Sequence, residues 1–530
     1  MSTPTPVASR IAAWSDARVA TVAGLALFAL VAWPVALVDW PPLQDLPNHL
    51  ATAVALDRPS EYADYVSNGY FKTNSALFVW LVFVGRILGL KAAAKLFVLG
   101  TLAASARAIP RLVLRFAGRA RLAPAMLLAW PMVHNWFVCM GMLDFALGVG
   151  LGWELLLALD SNLARPSPRR ALVAALLAIV VWYTHAFAVV IVGLLAFIEA
   201  VRRAGWQASS RAALALWLPL VPAAALTAWS ALAQLHGGSG AESSAWILRP
   251  PWEQVYNAWA LWMWGFSRWS ATSLVATVAL AAFAVRGRKS DIRFFSWPAI
   301  IVLSALYFFG PYHAANWFCV NARLLPALWM AALLRVPPAL PRWLTRALVA
   351  SAALYALGLG FDYVRLGRDW RRFTAAAAAI PEHAKVLPLV FDRKGSGENT
   401  WPMLHAWGLV VVEKHTTAPL LFAHSRSFPV SYRQQPSEQL NQLHLEVFPE
   451  GMRDPAALCG ELKLRGIVAR DCDGLYAQLW RDFWLEAAPL GDYLLVYGAS
   501  AEAIAQLPRD YAETWREGTL VIYARSVSAK

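Results

Sequence analysis

The chain has 530 residues, of which 58% are hydrophobic and 15% charged, against roughly 45–50% and 25% in a soluble globular protein. That balance excludes a wholly soluble enzyme and predicts a mainly α, polytopic transmembrane helical bundle. The net charge of +14 does not indicate nucleic acid, because the basic residues fall in short clusters between apolar runs, the pattern that sets membrane topology.

Residues 1–18 read as a cytoplasmic tail and 19–38, twenty residues without a charge, as the first crossing. A cleaved signal peptide is not expected: the run is too long, lacks an A-x-A-like site and is followed by many more. Arg10 and Arg18 place the N-terminus inside. The loop 39–74 holds Asp39, Asp45, Asp57, Glu61 and Asp64 against Arg58 and Lys72, so it is placed outside.

Residues 75–90 are short for a crossing and carry Arg86; they are read as an interfacial or half-buried helix, and 92–109 as the second crossing. Two more follow at 122–140 and 143–159. Residues 171–200 are arginine-flanked at both ends and amount to about 45 Å of helix at 1.5 Å per residue. That length suits a hairpin of two short crossings turning at Thr184 and His185. Runs at 212–233, 272–285, 294–309, 324–334 and 344–361 bring the count to eleven. Between two of them, Trp252, Tyr256, Trp259, Met263 and Phe266 recur at helical spacing, predicting an aromatic-faced interfacial helix over 251–269.

After Asp362 the long apolar runs stop. Short β-rich runs at 386–391, 466–469, 493–497 and 519–523 alternate with helix-like stretches, which predicts a soluble α/β domain over 362–530. Parity places it on the periplasmic or extracellular side. No Gly-rich phosphate loop follows a strand; Gly498-Ala-Ser500 reads as a turn with a serine N-cap. The four cysteines form no C-x-x-C pair. Cys139 and Cys319 read as core thiols, and Cys459 and Cys472 as a candidate disulfide in an oxidising exterior.

Chemistry concentrates just beyond the first crossing, in Asp39-Trp-Pro-Pro-Leu-Gln-Asp45-Leu-Pro-Asn-His49. Pro47 suits the first turn of a helix, which puts Asp45 at the positive N-terminal end and His49 one turn in. These two are the candidate catalytic residues, or part of a site for a divalent metal; the plainer alternative is that Asp45 only caps the helix. Polar residues expected at the same outer level include the candidate substrate-binding set Asp39, Lys72, Asp144, His185, His313 and Arg323. Asn74, His134, Asn135, Tyr312 and Asn316 accompany them. Arg323 opens a span from the outer side, against the positive-inside bias, and is a candidate clamp for a lipid phosphate, with snorkelling as the alternative.

The layout resembles the GT-C superfamily of polyprenol-phosphate-sugar-dependent glycosyltransferases, which includes the protein O-mannosyltransferases and the lipid A aminoarabinose transferase. Asp45-Leu-Pro-Asn-His49-Leu-Ala51 is similar to that family's acidic motif after the first span, and the short helix and terminal soluble domain match its architecture. Leu46 stands where the usual second carboxylate would follow Asp45. The resemblance implies a bacterial-type inner membrane enzyme that moves a sugar, with inversion, from a polyprenyl-phosphate donor to a glycan, lipid or protein acceptor on the outer face. It further implies Asp45 as the acceptor's base, and cations such as Arg323, Lys72 or His313 on the leaving phosphate. Competing readings are a lipid-linked glycan ligase or polymerase, a transporter or flippase, and a non-catalytic assembly protein.

Overall fold

The computed structural model describes residues 14–204, 211–236, 246–286, 291–314, 317–423, 428–434, 445–446, 448–449, 456, 459–460, 484–487 and 490–526. The expected strand at 466–469, Asn316 and Cys472 lie outside these. The described chain is mainly helical, and five helices are long and apolar enough to cross a membrane: Asp16–Leu37, Leu90–Ala117, Arg119–Met140, Arg211–Leu232 and Arg342–Ala379. At 1.5 Å per residue, about 20 residues bridge the roughly 30 Å hydrocarbon layer.

Between them run the helices Leu143–Ala164, Pro168–Thr184, Ala186–Ala204, Leu274–Arg286, Trp297–Phe309 and Leu325–Leu333. The stretch 171–200 breaks at His185, which is extended at φ −163° and ψ 117°. The chain reverses there. A Cβ on Gly148 would stand 3.0 Å from Thr184 Oγ1 and 3.2 Å from Ala188 Cβ, and one on Gly152 would meet Val192 at 3.3 Å. Helix Ala186–Ala204 therefore runs parallel to Leu143–Ala164, while Pro168–Thr184 opposes both.

Helix Ala76–Leu88 has 13 residues, too few to cross a bilayer alone. It buries Leu77, Phe78, Leu81 and Val82 and exposes Phe83, Ile87 and Leu88. The aromatic helix expected over 251–269 is shorter, Pro251–Ala260. The Trp259 carbonyl takes the amides of Trp262, Met263 and Trp264, which closes the helix in a tight turn. Trp252 and Tyr256 stay exposed, Met263 and Phe266 are buried, and Trp264 folds back to stack on Trp259 at 4.7 Å.

One end of the bundle is tied by ion pairs: Asp160 between Arg115 and Arg293, Glu199 between Arg202 and Arg203, and Glu154 with Arg111. The other end carries the loops that meet the C-terminal region. There β1 (Tyr65–Ser67) pairs antiparallel with β5 (Val430–Tyr432), and β2 (Trp246–Ile247) with β3 (His313–Ala314).

The C-terminal region holds a four-stranded mixed sheet in the order β4 (Val386–Val390), β6 (Tyr493–Tyr497), β8 (Leu520–Arg525), β7 (Tyr511–Glu517). β4 and β6 are parallel and the other pairs antiparallel. β7 had no counterpart in the sequence reading, because its only buried residue is Tyr511 and an edge strand so exposed carries no alternation to read. Gly498 adopts φ +70°, and the Ser500 hydroxyl accepts from Ala503 N at 3.2 Å to cap helix Ala501–Ala505.

Candidate functional site

Helix Leu46–Asp57 begins as Pro47 dictates, with proline in its first turn. Asp45 takes the N-cap position, yet its side chain makes no capping hydrogen bond. The carboxylate is free for other work. Its backbone rests on the turn after Met140: Asp45 N donates to Met140 O at 3.0 Å. A Cβ on Gly141, which has φ +84°, would come within 2.8 Å of Asp45 N. Only glycine suits that place, for its dihedral and for the close approach alike.

Two side chains hold one oxygen of Asp45. His405 Nδ1 lies 3.1 Å from Oδ1, and Gln44 Nε2 donates to the same atom at 3.3 Å. The amide of Gln44 is itself oriented, because its Oε1 accepts from Trp401 N at 2.8 Å. The other ring nitrogen of His405, Nε2, lies 3.0 Å from Glu446 Oε1. His405 is only 2% exposed. Burial by itself would lower its pKa, but hydrogen bonds and charge from Asp45 and Glu446 outweigh that and push it up to about 9, so it is an imidazolium at neutral pH. Oδ2 of Asp45 takes no hydrogen bond among the described residues.

His49 sits edge-on to Phe78 at 5.3 Å and tilted against Phe422 at 5.5 Å. Burial, opposed by the charge of Asp45 and reinforced by that of His405, lowers its pKa to about 4. It is neutral, and its Nδ1 has no hydrogen-bond partner. The roof over the pair comes from the C-terminal region. Asn48 donates to Leu420 O at 2.8 Å and accepts from Phe422 N at 3.2 Å, and Gly408 meets the carbonyl of Pro47 so closely that a Cβ would stand 2.4 Å from it.

Arg323 is 6% exposed in the 3-10 turn Asn321–Leu324. Its Nη1 is 2.8 Å from His185 Nε2 and its Nη2 is 3.4 Å from Phe318 O, while Nε has no partner. Phe145, Trp317 and Phe187 surround the guanidinium at 5.1, 5.3 and 5.9 Å. Among the described residues no carboxylate pairs with it. Cys319 feels both charges. Burial raises its thiol pKa; Tyr312, Arg323 and Arg249 pull it down, and Asp45 pushes it up. Asp45 and Arg323 thus act with opposite sign on one buried thiol.

The other expected residues divide. Lys72 stands at the rim, its Nζ donating to Phe428 O at 3.4 Å, with burial lowering its pKa to about 8. Phe428 stacks on Phe422, which also borders His405. His313 is buried flat against Phe318 at 4.3 Å. Asp144 is buried, and its Oδ1 accepts from Leu77 N at 2.9 Å, so it caps the half-buried helix Ala76–Leu88. His134 bonds Tyr363 inside the bundle at 3.0 Å, and Asn135 caps Trp136–Met140. Asp39 is exposed elsewhere, in a depression lined by arginines.

A divalent metal on Asp45 and His49 does not fit what is present. Among the described residues no group of three His, Cys, Asp or Glu is placed to hold one, and His405 commits its two nitrogens to carboxylates on opposite sides of its ring. No residue of the sequence motif signalled His405, Glu446 or Gln44 as partners. Comparison with known proteins adds nothing further: no family model matches the chain, and neither does any curated protein.

Proposed function

We propose that this chain is an inverting GT-C-type membrane glycosyltransferase that moves a sugar from a polyprenyl-phosphate donor to an acceptor hydroxyl or amine at the outer end of the bundle. The observation that carries this reading is a carboxylate fixed through one oxygen, with the second uncommitted, and a buried guanidinium that has no carboxylate of its own among the described residues, both acting electrostatically on the Cys319 thiol. The acceptor heteroatom attacks the anomeric carbon and its proton passes to Asp45 Oδ2. The bond from that carbon to the phosphate oxygen breaks on the opposite face. Its electron pair leaves with the phosphate, whose charge Arg323 and, at the rim, Lys72 offset. His405, protonated at neutral pH, aims Asp45, and the neutral His49 closes the apolar side.

Eleven crossings remain our topological reading. It is supported by the reversal at His185 and by helix ends that alternate between the arginine–carboxylate end and the Asp45 end. Cys459 is disulfide-bonded, which supports an oxidising, periplasmic or extracellular setting for the C-terminal region and a bacterial-type inner membrane for the rest. Partners on this reading are the lipid-linked sugar, membrane lipids and a glycan, lipid or protein acceptor.

The test is sugar transfer from a polyprenyl-phosphate donor in membranes holding equal amounts of wild-type and Asp45→Asn protein. Loss of a positioned base lowers the rate on the order of a hundred- to ten-thousand-fold. Near-normal transfer by the variant would sink the assignment.

A further inference from the structure

The depression that holds Asp39 lies far from this chemistry in kind. It forms where the first and last long helices leave the apolar layer together. Gly360 and Gly367 on helix Arg342–Ala376 admit the end of the first helix: a Cβ on Gly360 would strike the Trp33 ring at 2.2 Å, and one on Gly367 would meet Val38 Cγ1 at 2.9 Å. Both elements change character at this level. On the long helix the exposed face runs through Leu354, Leu357 and Phe361 and then becomes Arg368 and Arg371. On the first, exposed Trp33 and Leu37 give way to exposed Asp39. Arg368 stands about 10 Å above Phe361 along the helix, within the headgroup layer that flanks the hydrocarbon core.

The depression encloses about 600 Å³ and is lined by Asp39, Arg368, Arg371, Arg372, Thr374 and Glu517. Glu517 comes from the end of β7, so the cations share one helix and the two carboxylates come from flanking elements. Arg372 pairs only with Asp369, at 3.5 Å. Among the described residues, Arg368, Arg371, Asp39 and Glu517 form no ion pair at all, although they line one depression. Opposite charges gathered but not joined suit a ligand that carries both signs. A purely anionic headgroup would satisfy the guanidiniums and meet repulsion from Asp39 and Glu517. A quaternary ammonium has no N–H to donate to those carboxylates.

We propose that this depression binds the headgroup of a phosphoethanolamine lipid, with the phosphate on Arg368, Arg371 and Arg372 and the primary ammonium on Asp39 and Glu517. The site is separate from Asp45 and does not depend on the transferase reading. It anchors the point where the first and last spans emerge.

The test uses the full-length detergent-purified protein, delipidated and then given phosphatidylethanolamine, phosphatidylglycerol or phosphatidylcholine of identical acyl chains, with retained lipid counted by native mass spectrometry. Since a hydrogen bond to a charged group contributes about 1.5–3 kcal/mol, phosphatidylethanolamine should be held about tenfold or more tightly than phosphatidylcholine. An R368Q/R371Q variant should lose that retention, and a D39N/E517Q variant should come to prefer phosphatidylglycerol. All four residues are at the surface, so the folded protein remains available in each case. Equal retention of the ethanolamine and choline lipids, or retention unchanged in R368Q/R371Q, overturns the proposal. Displacement of the lipid by soluble phosphoethanolamine alone would overturn the lipid as the source of the headgroup.

Discussion

The two ends of the helical bundle handle charge in opposite ways. At the end of Asp160 and Glu199, both carboxylates are fully buried and each is gripped by two arginines. At the Asp45 end the strongest base candidate and a buried guanidinium both act on the Cys319 thiol without pairing with each other. Charges that neutralise each other hold helices together. Charges kept apart retain the capacity to act on something else, and the protein sustains that separation with an imidazolium for the carboxylate and an aromatic box for the guanidinium. Several substitutions should break or sharpen this contrast.

The largest effects should be complementary losses at the two ends. Asp45→Asn should abolish most transfer with only a modest fall in melting temperature, because its carboxylate caps nothing and the imidazolium of His405 keeps Glu446 as a second partner. Asp160→Asn should do the reverse, since removing one member of a buried ion-pair network costs about 3–5 kcal/mol; a thermal melt of the purified variant would show it. Equal melting of these two variants would contradict the contrast.

Arg323→Gln should raise the donor KM about tenfold or more, the worth of a hydrogen bond between charged groups, without lowering the melting temperature, because the guanidinium it removes has no carboxylate to orphan. A large drop in melting temperature with an unchanged KM would assign Arg323 to the scaffold.

Stability should depend on pH through two histidines with opposite signs. The folded pKa of His405, about 9, lies above its ordinary 6.5, so its contribution is complete below 6.5 and is lost as pH rises through 9. That of His49, about 4, lies below 6.5, so its contribution is present above 6.5 and is lost as pH falls toward 4. The melting temperature should peak near pH 6.5, and His405→Gln should flatten the alkaline side only. A melt series across pH checks both slopes.

The smallest effect expected is that of Gly141→Ala. A side chain at φ +84° costs roughly 1–2 kcal/mol, and its Cβ also presses on the amide of Asp45. A modest fall in melting temperature should come with a clear fall in transfer rate; loss of stability alone would deny Gly141 its role as the seat of the base.

The helices were largely legible in the sequence because an apolar run in a membrane protein has few alternatives. The break at His185 could be placed from the arginines at both ends of 171–200 together with its length. The site was legible on one side only. Asp45, His49 and Arg323 were readable from their position beside apolar runs, but His405 and Glu446 belong to a region where no periodicity or motif distinguishes one histidine from another. The pairing of His405 with Asp45, and of Glu446 with His405, comes with contacts between segments hundreds of residues apart, such as β1 with β5 and Gly408 against Pro47. Asp144 misled for the opposite reason. It stands at the outer level as expected, but the amide it serves belongs to a helix that precedes it, and sequence spacing does not reveal a cap supplied from another element.

The separation of Asp45 from His405 by 360 residues also sets an order of events during synthesis. At the usual 5–20 residues per second, roughly 20 to 70 seconds pass between the emergence of the two. Every long apolar helix but the first is made in that interval, so a chain halted before residue 405 has its membrane helices and its carboxylate but not the side chain that aims it. If the chain is the transferase proposed, an unfinished product is silent, and activity reports that the polypeptide has been made past residue 405 and has closed over its own beginning.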